Sequence, residues 1–253
     1  MTPSRPAVTV RVMDDKRRQR LEEFVSPFRV KPGSTVNLER DFDPAFKAGV
    51  KKKEGRALLA EGVQMLAEYQ ARLAAQDTWG VLVVRVHPEN LDRQRLPHQA
   101  LHGDVWRRRF REINDWERYL TDNGFRIVKL FLNLSKEEQR TRFLRRIDLP
   151  DHNWKFSTAD IAERQRWDDY RLAFSEALSH TSTEWAPWYV IPADRKWFGR
   201  FGAAAVLVHT LMEIDPQFPT VTSEQRDELQ KVKERLEAQA PTGSEPDPFA
   251  AIT

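Results

Sequence analysis

The apolar positions of this chain alternate between two periods. In residues 54–76, Leu58, Leu59, Val63, Leu66, Tyr69 and Leu73 recur at the three-and-four spacing that predicts a helix. Residues 80–86 form a short, mostly β-branched run entered from a glycine, which predicts a buried strand. Helical spacing returns over 105–122 with Trp106, Phe110, Ile113, Trp116 and Leu120, and Asn123-Gly124 closes the segment. A second strand is predicted over 126–134 around Ile127–Leu132, and a third over 188–192. Between them, Ser135-Lys136-Glu137-Glu138 matches a capping box that opens a helix. Another match, Ser157-Thr158-Ala159-Asp160, opens a helix running through Trp167 and Tyr170 to about Leu178. Helices are also predicted over 196–214 and, charged and capped by Thr222, over 222–239.

Strand, short loop and capped helix in succession build a parallel α/β sheet. Residues 1–27 read as a polar N-terminal arm, and the Pro/Gly/Ser-rich tail from Pro241 as disordered. No internal repeat is visible. The tryptophans mostly fall at apolar helical phases and are expected in the core, Trp154 and Trp197 excepted because each adjoins a lysine.

Composition narrows the classes. With 253 residues, 40% of them apolar and 31% charged, the chain is expected to be soluble and to close a sizeable core. The absence of cysteine excludes disulfides and thiolate chemistry. Apolar runs stay far below the ~18 residues of a membrane span. Residues 1–20 lack an apolar stretch and include Asp14 and Asp15, which argues against a leader peptide, so a cytoplasmic protein is expected.

The 41 basic and 38 acidic residues leave a net charge of +3 and a pI near 9.1, a weak pointer to anionic partners. Distribution says more, since basic residues cluster at 16–20, 51–53, 107–111 and 140–146. One such cluster is ordinarily a solvated helix face; several converging on one anion would be a site. The ten glycines form neither a GxGxxG nor a GxxxxGK, so no amide cradle for phosphate is written in the chain. His98 and His102 stand four apart, but Gln99 occupies the place of a zincin glutamate and no third ligand is evident. There is no G-x-S-x-G elbow.

The helix after Ser135 places Arg142 three and four residues before Arg145 and Arg146, so these guanidiniums share roughly one face. Phe143, Leu144 and Ile147 give it apolar anchors, and Lys155 follows. Forked cations on a hinged helical hairpin suit a phosphate chain, whose charge is spread over many oxygens. A surface helix with Glu138–Arg142 pairing is the alternative. Nucleic acid is not an expected partner, because the basic clusters lack an aromatic stacking platform and a groove-reading helix.

Beyond these local patterns, several runs resemble the polyphosphate kinase 2 family. They include Arg85-Val86-His87-Pro88-Glu89-Asn90-Leu91 and Glu112-Ile113-Asn114-Asp115-Trp116-Glu117. The stretch from Ser135 through Arg142-Phe143, Arg145-Arg146, Pro150 and Trp154-Lys155-Phe156 is similar to the lid of that family. Trp167-Asp168-Asp169-Tyr170, Ala186-Pro187-Trp188-Tyr189 and Pro192-Ala193-Asp194-Arg195-Lys196-Trp197-Phe198 continue the likeness, which covers most of 28–220.

The resemblance implies a P-loop-kinase-like three-layer α/β/α fold with a parallel sheet and a helical lid over about 135–178, followed by a charged helix and tail over 221–253. It implies phosphoryl transfer between inorganic polyphosphate and a nucleoside mono- or diphosphate (ADP/ATP or AMP/GDP), assisted by Mg²⁺, in a homo-oligomer. Arg142, Arg145, Arg146 and Lys155 are then expected on the phosphate chain, and Asp194, Arg195 and Lys196 near the nucleotide. One departure is severe. In the family a strand leads to a Gly-rich loop with a Lys, and a later strand carries an acidic residue. Here Val81–Val84 passes straight into Arg85-Val86-His87-Pro88, so cradle, Lys and acidic motif are missing. The sheet is expected to shrink to about three strands, no Mg²⁺ ligand is evident, and turnover is expected to be impaired. A non-catalytic polyanion-binding protein, or an inactive partner subunit, is the competing expectation.

Overall fold

The computed structural model describes residues 7–76, 80–84, 105–150 and 159–239. The chain divides into two compact units, Met1–Gln217 and Phe218–Thr253. The first contains helices α1 (Ala7–Val25), α2 (Leu38–Asp41), α3 (Lys52–Gln76), α4 (Val105–Asp122), α5 (Lys136–Asp148), α6 (Ala159–Gln165), α7 (Trp167–Thr181) and α8 (Lys196–Ile214). Among the described residues its sheet has three strands, β1 (Gly80–Val84), β2 (Phe125–Asn133) and β3 (Trp188–Pro192).

The sheet is parallel, in the order β1-β2-β3. Gly80–Val84 pair with Phe125–Lys129, and Lys129–Asn133 pair with Trp188–Pro192. The long central strand therefore changes partners at Lys129, which faces Val84 on one side and Trp188 on the other. Side chains alternate across β3 as a two-sided buried strand requires. Tyr189 and Ile191 join Val128, Phe198, Phe201 and Val206 in one apolar cluster, against α8. Trp188 and Val190 join Leu178, Val30 and Leu38 in the other, against α7 and α2. Helix, sheet, helix is the three-layer α/β architecture expected from the sequence. Gly202 lets α8 lie close on the sheet: a Cβ there would stand 3.0 Å from the Ile191 side chain.

Several expectations are corrected. Within the N-terminal arm, residues 7–25 form α1, whose last residues Phe24 and Val25 reach the core. Val25 and the following Phe28 are buried, and the Phe24 ring lies 4.8 Å from Phe201 and 5.3 Å from Phe28. On α3 the apolar stripe is wider than the contact, leaving Leu58 and Val63 exposed. On α4, Trp106 and Trp116 are also exposed, while Glu117 is buried in their stead. The predicted helix ending near Leu178 is two helices, broken at Arg166 and extended to Thr181. The sequence calls at 85–104 and 151–158 (His98, His102 and Lys155 among them) lie outside the described residues.

In the second unit, helix α9 (Ser223–Glu237) starts with the reciprocal cap its sequence foretold. Thr222 Oγ1 accepts from Gln225 N at 3.2 Å, and the Gln225 side chain accepts from Thr222 N at 3.0 Å.

Candidate functional site

Open parallel sheets bind ligands beyond the carboxyl ends of their strands, where the loops part. In this protein β2, β3 and the first turn of α5 meet at that end. Asn133, the last residue of β2, is fully buried. Its Nδ2 donates to the Phe42 carbonyl and its Oδ1 accepts from Arg171 Nη1, both at 2.8 Å. The Asn133 carbonyl accepts from Ala193 N at 2.8 Å, which holds the strand ends together past their last residue pair.

Asp194 follows directly. Its Oδ1 accepts from Ser135 N at 2.7 Å, while Ser135 Oγ accepts from Glu138 N at 3.1 Å. The predicted cap thus forms by halves. Ser135 caps the helix, but its own amide is satisfied by Asp194 rather than by Glu138. An acid at this place also meets the positive end of the α5 dipole. Glu138 turns instead along the helix to Arg142, whose Nε donates to Glu138 Oε1 at 2.8 Å.

Arg142 reaches further. Its Nη2 donates to the carbonyl of Ala193 at 2.6 Å and lies 3.4 Å from that of Asp194. This guanidinium therefore ties α5 to the loop after β3, and the structure brings Arg142 and Asp194 together as one assembly. Arg145 and Arg146 stand about one turn further along α5. Arg145 is exposed, and Arg146 lies over the Phe143 ring, 5.9 Å from its centre. Arg140, from the same basic cluster, is instead spent on Glu137 through three hydrogen bonds of 2.6–3.1 Å. That pairing holds the Glu137 carboxyl below its ordinary value and raises the guanidinium. Arg195 and Lys196 are exposed at the start of α8, directly after Asp194 in the chain.

Two arginines were not among the expected site residues. Arg164 Nη1 donates to the Lys136 carbonyl at 2.6 Å and to Gln139 Oε1 at 2.8 Å, clamping α6 on α5. Arg171 lines a mostly apolar cleft of about 670 Å³ with Leu132, Gln139, Trp167, Tyr170 and Phe174. Burial lowers its pKa from the ordinary arginine value, and Glu39 opposes that shift. The available signal was spacing: Arg171 falls between Trp167, Tyr170 and Phe174 on the apolar phase of α7, where a charge needs a reason.

A divalent cation would need a set of oxygen donors here. Among the described residues no group of three or more His, Cys, Asp or Glu converges in that way. Asp194 is engaged by an amide and Glu138 by a guanidinium.

Comparison with known proteins agrees with this architecture. The family model described as Polyphosphate kinase 2 matches residues 98–219. An uncharacterized protein of Leptolyngbya boryana is 48% identical over 53% of this chain and 99% of its own length. An ADP-polyphosphate phosphotransferase of Rhodopseudomonas palustris is 46% identical over 62% of this chain and 54% of its own. The chain spans about half the length of the curated phosphotransferases it matches first. The crystal structure of polyphosphate kinase 2 from Arthrobacter aurescens superposes with a TM-score of 0.68 and 28% identity, covering 82% of this chain and 95% of that one.

Proposed function

Because this chain belongs to the polyphosphate kinase 2 family, we propose that it binds inorganic polyphosphate through the cations of α5. We propose further that it transfers phosphoryl groups between that polymer and nucleoside mono- or diphosphates only at a severely reduced rate. The first part is supported by Arg142, Arg145 and Arg146, which share one helix whose N-terminus is anchored at the carboxyl end of the sheet. Lys155 is assigned a supporting role on the same segment, as a lid over about 135–178, and Asp194, Arg195 and Lys196 the nucleotide side. The names of the relatives, which include AMP/ADP- and GDP-polyphosphate phosphotransferases, supply the substrate classes.

The second part rests on one observation, the passage of Val84 directly into Arg85-Val86-His87-Pro88. No Gly-rich loop with its Lys follows β1. Phosphoryl transfer depends almost wholly on positioning and on neutralising charge in the transition state. The same observation favours a second reading, in which the protein binds polyphosphate without chemistry or serves as an inactive partner subunit.

The test is direct. Purified protein is offered ADP and polyphosphate, and ATP formation is followed beside polymer binding at several salt concentrations. Binding that weakens steeply with salt is expected, with turnover at least ~10³-fold below the roughly 1–100 s⁻¹ usual for kinases. Ordinary turnover abolished by Arg142→Ala would overturn the impairment, and absence of salt-sensitive polymer binding would overturn the whole reading. Turnover that is low but nonzero separates the impaired enzyme from the non-catalytic binder.

A further inference from the structure

A cavity of about 420 Å³ opens toward the amino end of the sheet, between α4, the last turn of α7 and the loop that leads into β3. Arg107, Arg111 and Arg118 line it from α4, with Asp115 as an acidic neighbour, and His180 and Trp185 form the facing wall. None of these residues belongs to the assembly of Asp194 and Arg142, which gathers where the strands end. All three arginines are exposed, and Arg118 lies 3.8 Å from Asp122. At a rise of about 1.5 Å per residue, Arg107 and Arg111 stand roughly 6 Å apart along the helix axis, with Arg118 roughly 10 Å beyond. Cations drawn out in this way suit an extended anion better than a small one.

Two polar atoms of the lining residues are buried and have no hydrogen-bond partner among the described residues: Asn114 Oδ1, an acceptor, and Trp185 Nε1, a donor. Asn114 Nδ2 donates to the His180 carbonyl at 2.9 Å, so the oxygen is the unspent end of that amide. A buried polar atom left unpaired costs about as much as a lost hydrogen bond, and native folds leave few of them. The rings of the cavity, in contrast, are already engaged. Phe110 stacks on His180, with centroids 5.3 Å apart and planes 16° from parallel. The Arg118 guanidinium lies over the Trp185 ring, 5.0 Å from its centre. Recognition here therefore falls to charge and hydrogen bonding rather than to stacking.

We propose that this cavity is a docking site for an extended acidic peptide segment of a partner protein. The carboxylates of such a segment pair with Arg107, Arg111 and Arg118. Its backbone supplies what the two unpaired atoms lack, an N–H for Asn114 Oδ1 and a C=O for Trp185 Nε1. The spacing agrees, because side chains on one face of an extended chain recur about every 7 Å, close to the axial step from Arg107 to Arg111. A carboxylate that draws the exposed Arg118 aside uncovers the indole N–H. Inorganic polyphosphate fits less well, since at neutral pH its chain carries no donor for Asn114 Oδ1. A nucleobase fits less well too, since it would compete with His180 and Arg118 for the rings. A partner seated here leaves the α5 cations open, so this site goes beyond phosphoryl transfer and does not depend on it.

The test uses the full chain and two probes, poly-L-glutamate and a polyacrylate with the same number of carboxylates, which has the charge but no peptide groups. Calorimetric titration at neutral pH is expected to show tighter binding of poly-L-glutamate. Arg107→Ala/Arg111→Ala is expected to weaken that binding about 5–30-fold, the range of two exposed ion pairs, and to leave the affinity for long-chain polyphosphate unchanged. Asn114→Leu keeps all three arginines and is expected to bring poly-L-glutamate down to the affinity of polyacrylate. Thermal melts of both variants are expected to stay near that of wild type, the substituted arginines being exposed. Equal affinity of wild type for the two polymers overturns the proposal, as does an arginine variant that binds poly-L-glutamate unchanged or an Asn114→Leu variant that keeps the preference. Tighter binding of oligouridylate than of poly-L-glutamate, lost in the arginine variant, makes the cavity a nucleic-acid site and overturns it as well.

Discussion

Lys129 and Glu117 form an ion pair inside the protein, Nζ to Oε2 at 2.7 Å, with each side chain only 1% exposed. Lys129 also donates to the Thr181 carbonyl and lies over the Trp188 ring, 5.3 Å from its centre. One ammonium thereby joins α4, α7 and β3 at the residue where β2 exchanges one neighbouring strand for the other. Burial lowers the Lys129 pKa and raises that of Glu117, and in each case the partner opposes the shift.

Removing one member leaves the other buried and uncompensated. Lys129→Met is therefore expected to destabilise the fold by about 3–5 kcal/mol. The double variant Lys129→Met/Glu117→Leu replaces both charges by apolar groups and is expected to recover most of that loss. Urea denaturation of the three proteins checks this, and equal instability of single and double variants would refute it.

The single variant also has a predictable pH dependence. Without Lys129, Glu117 loses the partner that opposes the upward shift, so its folded pKa rises further above the unfolded one. The folded state then holds the proton more tightly, so stability is fully present below the unfolded pKa. It is lost as pH rises through the folded value. Lys129→Met is expected to be more stable near pH 5 than near pH 8, with a smaller difference in the Lys129→Met/Glu117→Leu variant. Denaturation midpoints at the two pH values measure it.

Asp194→Ala removes the acceptor of the Ser135 amide at the start of α5. The expected cost is about 1–2 kcal/mol, in the range of a lost helix cap or a charged hydrogen bond. Amide hydrogen exchange in the first turn of α5 should accelerate, while the amides of α9 keep their protection. Uniform acceleration across the chain would contradict a local role.

Arg142 and the pair Arg145–Arg146 are expected to behave differently. Arg142→Ala breaks contacts to Glu138 and Ala193 and should lower the melting temperature as well as polyphosphate affinity. Arg145→Ala/Arg146→Ala leaves the backbone contacts of α5 in place. It should lower affinity by roughly 10–100-fold for each arginine removed, with little change in melting temperature, each lost charged hydrogen bond being worth about 1.5–3 kcal/mol. Calorimetric titration beside a thermal melt separates the two patterns.

Local chemistry set much of this molecule in advance. The β-branched run at 80–84 and the apolar runs of β2 and β3 prescribe parallel strands, and Ser135 and Thr222 mark their helix starts, because each signal depends only on residues a few positions apart. The glycine spacing, in the same way, holds no GxxxxGK pattern after β1. Tertiary structure decided what depends on partners distant in the chain. Arg142 could not be read as a tie to Ala193, 51 residues away, nor could Asp194 be read as completing the cap of Ser135, 59 residues away. Glu117 is buried on α4, where Trp106 and Trp116 are exposed, because β2 sets Lys129 opposite it. Burial of a polar group is set by the groups that arrive from elsewhere to satisfy it, and only the packed fold brings them there.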